Sequence, residues 1–125
     1  MSLLDVGPRV EGFAGELGGI AAVGSLTAPD DLVRLVDTTI EQYGRIDAVV
    51  NGAGHARNDA LLEVTGQDWH DGLDMLLLSV VRMARLVTPH VLAAGKGRSG
   101  MDLGCPAYRG LRSAPCPVAR QLVRP

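Results

Sequence analysis

A glycine-rich turn at the end of an apolar strand is the feature of this sequence best suited to binding a ligand. Ile46 to Val50 is apolar at nearly every position, as expected of a parallel strand covered on both faces. It leads directly into Asn51-Gly52-Ala53-Gly54. Glycines let another group approach the backbone closely, and open α/β sheets bind ligands at the carboxyl ends of their strands. The tetrapeptide alone is weak evidence, because most such turns are only turns.

The other side chains that could bind a metal or take part in catalysis are better explained without a functional role. His70 and Asp74 share a helix face at four-residue spacing. An exposed polar pair is a better interpretation than a metal site, because no third ligand is suggested. Cys105 and Cys116 match no zinc or redox spacing, so we interpret them as ordinary thiols. His55 is better explained as a solvated loop residue than as a ligand-facing one. We therefore predict no metal site.

Composition limits the class of protein and its partners. The 125 residues allow one small domain, and 46% of them are apolar, which argues against disorder. The net charge is only −2, with no basic stripe for nucleic acid and no polybasic segment for a membrane surface. The longest apolar run, Met75 to Val81, is far shorter than a bilayer span, and no signal-peptide pattern is visible. We predict a cytoplasmic protein without nucleic-acid or membrane partners.

Apolar periodicity predicts helices alternating with short strands, and such alternation is typical of an α/β layered sheet. Thr27 is the predicted N-cap of the second helix, which Gly44 ends. The predicted elements are a helix over Pro8–Leu17, a strand over Ile20–Val23, the helix that starts after Thr27, a strand over Ile46–Val50 and a long helix over 67–94.

The long helix carries the clearest signals for its start and for an interruption. Thr65 and Asp68 resemble a capping box, and Pro89 is expected to kink the last turns. Its apolar stripe is wider than one sheet contact requires. Two interpretations stay open, a fully buried helix and a helix that also contacts a partner.

The character of the sequence changes after Gly95. Arginine, proline, glycine and cysteine dominate residues 96–125, without periodicity or an apolar run of strand length. Such a segment buries too little apolar surface to offset its ordering entropy. We expect a partial nucleotide-binding domain over 1–97 and an irregular or disordered tail over 98–125.

The segment from Gly44 to Gly54, Gly-Arg-Ile-Asp-Ala-Val-Val-Asn-Gly-Ala-Gly, resembles the central signature of the short-chain dehydrogenase/reductase (SDR) family. Members carry Gly-(Arg/Lys)-(Ile/Leu)-Asp, an apolar strand and then Asn-Asn-Ala-Gly, so Gly52 departs from the second Asn. Thr65, Trp69 and Pro89 match the family's long helix. The resemblance covers about Val10 to Gly97.

This resemblance implies a partial Rossmann-type, doubly wound parallel sheet with NAD or NADP across the carboxyl ends of its strands. Asn51, Gly52, Ala53 and Gly54 are then expected to line the nucleotide ribose and to support the neighbouring strand. Gly24, Ser25 and Leu26 are expected beside the adenine ring. Ser25 stands where members usually have Asp, which removes an acceptor for the adenine amine.

Several family motifs have no counterpart in this sequence. No Thr-Gly-x-x-x-Gly-x-Gly phosphate loop occurs, and we expect its strand and helix upstream of Met1. No Tyr-x-x-x-Lys pair occurs; Tyr108 has Arg112 four residues on, and Gly95 stands where the catalytic Ser belongs. Leu76 replaces the family's helix Asn. The resemblance therefore predicts no catalytic residue and very weak cofactor binding, and we expect the residues that select substrate and NAD or NADP to be missing.

Three functional hypotheses remain. The chain is a fragment of an NAD(P)-dependent oxidoreductase, inactive alone, or a decayed or out-of-frame gene product. The third hypothesis is an interaction module that uses the 67–94 helix to self-associate or to pair with an intact family member. The abrupt change after Gly97 favours the second, and the other reading frames of the coding DNA would decide it. We also expect the Ile46–Val50 strand to have at most one partner, the strand around Ala21 and Val23.

Overall fold

The computed structural model describes residues 1–54, 56–57, 59–94, 98–102 and 121–124, the last two ranges as backbone strands. Strands and helices alternate through the first hundred residues, as predicted. The elements are β1 (Ser2–Asp5), α1 (Arg9–Glu16), β2 (Ile20–Val23), α2 (Pro29–Tyr43), β3 (Ala48–Gly52), α3 (Gly66–Leu73), a π-helical turn (Asp74–Leu78), α4 (Ser79–Ala93), β4 (Arg98–Asp102) and β5 (Gln121–Arg124).

The five strands form one sheet in the order β2-β1-β5-β3-β4. β1 and β2 are parallel, as are β3 and β4. β5 lies between β1 and β3 and is antiparallel to both. The four strands β1 to β4 therefore all point the same way, and their carboxyl ends lie at one edge of the sheet.

The strand predictions need three corrections. The sequence analysis missed β1, whose four residues are too short to show a period. It predicted no strand in 98–125, but β4 and β5 lie in that segment, and residues 103–120 are outside the described residues. It also gave β3 at most one partner, near Ala21 and Val23. This was wrong, because β3 pairs with β4 and β5 and not with β2. Backbone pairing with neighbours, rather than an apolar pattern, places these strands.

Helices cover the two faces of the sheet unequally. One face carries α2 and α4, which enclose the larger hydrophobic cluster together with β1 and β3. The other face carries α1, which packs on β1 and β2. Leu3 and Leu4 of β1 point to opposite faces, as the alternation of a strand requires. The larger cluster comprises Leu4, Leu32, Leu35, Val36, Ile46, Val49, Met83 and Val87, and the smaller one Leu3, Val10 and Ala14.

The ends of α2 follow local backbone chemistry. Its N-cap is Ala28 without a side-chain hydrogen bond, so the predicted Thr27 cap was wrong. Pro29 takes the first helical position, where its missing N–H costs no hydrogen bond. Gly44 ends the helix at φ 73°, in the left-handed region that glycine enters most easily.

The long helix is continuous but not uniform. The predicted capping box is confirmed, since Thr65 accepts from the Asp68 N–H and the Asp68 side chain from the Thr65 N–H. α4 continues through Pro89 to Ala93. The run Gly66–Ala93 is 28 residues long and, by length and composition, sufficient to cross a bilayer. Core helices of α/β layers satisfy the same criterion, and this helix contributes Met83 and Val87 to the core.

A buried hydroxyl pair joins α2 to the first strand. Thr39 is 0% exposed, and its Oγ1 lies 2.8 Å from Ser2 Oγ and 2.6 Å from the Leu35 carbonyl oxygen. The Ser2 side chain is equally buried. Each hydroxyl therefore depends on the other to satisfy its hydrogen-bonding capacity.

We predict that Thr39→Val lowers the free energy of unfolding by about 1–3 kcal/mol, because it leaves the Ser2 hydroxyl buried without its partner. Urea unfolding followed by circular dichroism measures the change. The matched control is Thr38→Val, since Thr38 is exposed and bonds only within its own helix. Equal effects of the two substitutions would contradict the prediction.

Candidate functional site

The candidate site lies at the edge where β1, β2 and β3 end. β1 ends at Asp5, β2 at Val23 and β3 at Gly52. The first two ends are joined directly, because Gly24 N–H donates to the Asp5 carbonyl oxygen at 3.0 Å. Since the three strands are parallel, the segments that follow them share one edge, which is where open α/β sheets bind ligands.

A carboxylate from α2 lies against the segment after β2. Asp31 Oδ2 accepts the Ser25 N–H at 2.8 Å, and Arg34 Nη2 donates to Asp31 Oδ1 at 2.8 Å. A Cβ added to Gly24 would lie 2.6 Å from Asp31 Cγ, so glycine is required for this approach. Sequence reasoning noted the carboxylate missing at Ser25 but not that the first turn of α2 brings another one there.

Ser25 and Leu26, both predicted to lie beside an adenine ring, differ in their surroundings. Ser25 Oγ lies 2.8 Å from Thr27 Oγ1 and accepts the Thr27 N–H at 3.2 Å, which shapes the turn. Leu26 is partly buried against the larger hydrophobic cluster. Its main contact is therefore with the core.

The predicted Asn51–Gly54 turn lies at the end of β3 as expected. Asn51 is only 7% exposed and stands opposite Met101 of β4, while Gly52 stands opposite Asp102. A Cβ on Gly54 would lie 3.8 Å from Met75 Sδ, so the π-helical turn of the long helix adjoins this segment. The structure thus places the β3 turn beside the long helix, and β5 separates it from Asp5 and Gly24.

Asp5 is a further candidate that sequence reasoning did not identify. Its Oδ1 accepts the Gly7 N–H at 2.8 Å, which fixes the carboxylate at the start of the loop to α1. A cleft of about 520 Å³ opens beside it along α1. The sequence signal that could have identified Asp5 is a pair of apolar residues, Leu3 and Leu4, followed by this aspartate and by Gly7. The cleft is lined by Asp5, Gly7, Arg9, Val10, Gly12, Phe13 and Glu16.

Charges near the start of the long helix have structural partners. Arg57 pairs with Asp59 and Asp68, and hydrogen bonding to Asp59 is the main reason that its pKa is raised. The hydrogen bonds from the Thr65 side chain and backbone lower the pKa of the Asp68 carboxyl below 3.8. A lowered carboxyl pKa stabilises the folded state at neutral pH, and that contribution is lost as pH falls through the lowered value. These charges therefore support the helix start.

His70 and Asp74, which share a helix face in the sequence, each bond to a different partner. His70 Nδ1 lies 2.7 Å from the Gly66 carbonyl oxygen, and Asp74 Oδ1 accepts from Arg82 Nη2 at 2.6 Å, so the two do not share a ligand site. Within the described part of the chain no group of three metal-binding side chains occurs. The remaining candidates, His55, Cys105, Tyr108, Arg112 and Cys116, lie outside the described residues.

Comparison with known proteins identifies the family. A profile described as short chain dehydrogenase matches residues 11–100, well over half of the chain. This chain belongs to the short-chain dehydrogenase family. An Escherichia coli 2-dehydro-3-deoxy-D-gluconate 5-dehydrogenase is 35% identical over 77 residues, which are 58% of this chain and 30% of the relative. A Caenorhabditis elegans dehydrogenase/reductase SDR family member 4 is 32% identical over 97 residues, 75% of this chain and 36% of the relative.

Solved structures agree on the fold. A 7α-hydroxysteroid dehydrogenase complexed with NADH and 7-oxo glycochenodeoxycholic acid superposes with a TM-score of 0.71 at 22% identity, covering 80% of this chain and 41% of that one. A Streptomyces avermitilis short-chain dehydrogenase gives a TM-score of 0.70 at 19% identity, covering 78% and 37%. The chain thus spans about a third of the length of its sequence relatives.

The strand order of doubly wound domains explains which part of the fold is present. That order is 3-2-1-4-5-6, with the dinucleotide across its centre. β2, β1, β3 and β4 take the places of its third, second, fourth and fifth strands, and β5 takes the place of the first, in the opposite direction. Asp5 therefore ends the second strand. The sequence analysis expected the residue after the second strand to be missing, and in the structure that strand position is occupied by β1, which ends at Asp5.

Proposed function

We propose that this chain carries the adenosine half of a short-chain dehydrogenase's dinucleotide site, and that this half-site prefers NAD to NADP. The observation that carries the proposal is the position of the Asp5 carboxylate, at the carboxyl end of the second strand of the doubly wound order and beside Gly24. An acidic residue in this place binds the ribose hydroxyls of NAD. The same negative charge disfavours the 2′-phosphate of NADP.

The residues around Asp5 suit an adenosine. Gly24 donates its N–H to the Asp5 backbone. Asp31 bonds to the Ser25 N–H and so brings a carboxylate to Ser25, where family members usually have an Asp that accepts from the adenine amine. Asn51, Gly52, Ala53 and Gly54 follow β3 at the same edge. These residues, with Ser25 and Leu26, form the proposed cofactor-binding set, in which Leu26 acts by packing beneath the turn.

Affinity for either cofactor is expected to be very weak. In this fold the pyrophosphate is held at the N-terminus of the helix that follows the first strand. β5 occupies that strand's place but runs towards the opposite edge, because Gln121 stands near Leu4 and Val123 near Ser2. The described residues therefore include no helix that starts from the carboxyl end of the first-strand position. Without contacts to the pyrophosphate, only adenosine contacts remain.

Asp5→Asn is expected to remove the preference for NAD over NADP, because it removes the charge that repels the 2′-phosphate. Amide chemical shifts of the isotope-labelled chain, titrated with each dinucleotide to millimolar concentration, measure this. We expect unsaturated shifts near Asp5, Gly24 and Gly52, larger with NAD. Asp47→Asn is the control, since Asp47 is a partly exposed carboxylate before β3, at the opposite edge. Micromolar binding, or equal shifts with both dinucleotides in the unmodified chain, would contradict the proposal.

The chain is also expected to show no NAD(P)-dependent turnover. Acid/base chemistry and the positioning of hydride donor and acceptor supply most of the rate enhancement, and the sequence contains neither a Tyr-x-x-x-Lys pair nor the phosphate loop. Absorbance at 340 nm with simple alcohols and each cofactor is the assay. Cofactor reduction that Tyr108→Phe abolishes would overturn the expectation.

The relatives' names include a sugar-acid dehydrogenase and a 3-oxoacyl-[acyl-carrier-protein] reductase, so we propose no substrate.

A second role as an interaction module is supported by the exposed apolar stripe of the long helix. Trp69 is 54% and Leu77 53% exposed, and Leu73 and Val81 share the pattern. Four large apolar side chains are thus exposed on successive turns of one helix, and exposed apolar patches typically mark interaction surfaces. We propose that a second copy of this chain, or an intact family member, covers it.

Leu77→Glu is expected to shift the chain towards monomer, because a charge in the middle of a buried apolar contact is left unpaired. Gel filtration with light scattering across a tenfold range of concentration measures the shift. Val33→Glu is the matched control, since Val33 is an exposed apolar residue of α2 at 40% exposure. A monomeric parent chain, or an equal effect of Val33→Glu, would exclude the stripe as the contact.

A further inference from the structure

We infer that Asn51 is a site of spontaneous deamidation, and that local opening of the end of β3 sets the rate of this reaction. Asn51 is followed by Gly52, at the position where members of the family carry a second asparagine. Glycine has no side chain to shield its backbone, so its nitrogen approaches a neighbouring group closely. The departure from the family signature therefore creates a reactive dipeptide at the end of a strand.

The reaction requires only water and these two residues. The Gly52 backbone nitrogen loses its proton to a base in the solvent and forms a bond to Asn51 Cγ, while the side-chain nitrogen takes up a proton and leaves as ammonia. One water molecule then opens the five-membered succinimide. Cleavage of the bond between Cγ and the Gly52 nitrogen gives aspartate. Cleavage of the bond between the main-chain carbonyl carbon and that nitrogen gives isoaspartate, whose main chain runs through the former side chain.

The strand holds the two residues in an unreactive conformation. Asn51 and Gly52 stand opposite Met101 and Asp102 in the parallel pairing of β3 with β4. In a parallel strand ψ is about +115°, which turns the following backbone nitrogen away from the side chain before it. The ring therefore cannot close until Asn51 leaves the extended conformation. Asn51 is also only 7% exposed, which restricts the access of water and base.

The end of β3 is the part of this strand that opens at the lowest free energy. The pairing of β3 with β5 covers Ala48, Val49 and Val50, so among the described strands only β4 pairs with Asn51 and Gly52. β4 is itself the last strand in the order of the described sheet. Strand ends open at a much lower free energy than the whole domain. Opening of the last two pairs is therefore sufficient for the reaction, and global unfolding is not required.

Deamidation changes both the charge and the length of the chain at this point. Both products place a carboxylate where a nearly buried amide stood, and burial of a charge without a partner is costly. Isoaspartate also adds one carbon to the main chain, which disrupts the pairing of Gly52 with Asp102. We therefore expect the end of β3 to separate from β4 after the reaction. This effect on the sheet does not depend on whether the turn binds a nucleotide.

Peptide mapping by mass spectrometry of the full-length chain, aged in mildly alkaline buffer, measures the two products at residue 51. We expect them to form at least about tenfold more slowly in the folded chain than in concentrated urea, because the strand must open first. Gly52→Asn restores the family's residue and should slow the reaction in urea, where folding plays no part. Asn58, which precedes Asp59 in the sequence, is the internal control and should react more slowly than Asn51 in urea.

Two further variants separate local opening from global unfolding. Met101→Gly weakens the strand opposite Asn51 and is expected to accelerate the reaction in the folded chain about two- to fivefold. Thr39→Val lowers the stability of the whole domain from α2 and should leave that rate unchanged. No reaction at residue 51 in urea would exclude the site. Equal rates in folded and unfolded chain, or equal acceleration by Met101→Gly and Thr39→Val, would overturn the control by local opening.

Discussion

The backbone pairing of β5 with both β1 and β3 is the interaction on which the rest of the sheet depends. β1 with β2 and β3 with β4 form two parallel pairs, and among the described strands only β5 hydrogen-bonds to both pairs. The larger hydrophobic cluster, under α2 and α4, also links the two pairs, since it includes Leu4 of β1 and Val49 of β3, which lie on opposite sides of β5. The two parts of the candidate site, around Asp5 and around Asn51, are therefore held in place by the backbone pairing of β5.

The direction of β5 affects the stability of the sheet and its capacity to bind phosphate differently. A sheet tolerates a strand of either direction at one position, because either direction completes the hydrogen bonds of its neighbours. Phosphate binding is less tolerant, because it requires a helix that begins at the carboxyl end of the strand in that position. The chain thus shows a partial short-chain dehydrogenase fold in which the strand at the first position runs in the opposite direction.

The long helix is buried unevenly along its length. Met83 and Val87 of α4 lie in the core, whereas Trp69 and Leu73 of α3 remain exposed, as does Leu77 in the turn between them. The π-helical turn Asp74–Leu78 lies between the two halves, and Asp74 pairs with Arg82 across its end. An extra residue in one turn rotates the faces that precede and follow it relative to each other. The helix is therefore buried only in part, contrary to the interpretation of a fully buried helix.

The sequence by itself determined the elements whose signals are local. Apolar periodicity, Thr65 with Asp68, Pro29 and Gly44 specified the helices, and Gly44 to Gly54 specified the family, which the match over residues 11–100 confirmed. Tertiary structure decided the rest. β1, β4 and β5 are four or five residues long and carry no period of their own, so pairing with distant strands places them. Asp5 became a candidate for cofactor selection, and Asp31 a neighbour of Ser25, only when parallel strands brought their ends to one edge, since no local pattern encodes contacts between separate elements.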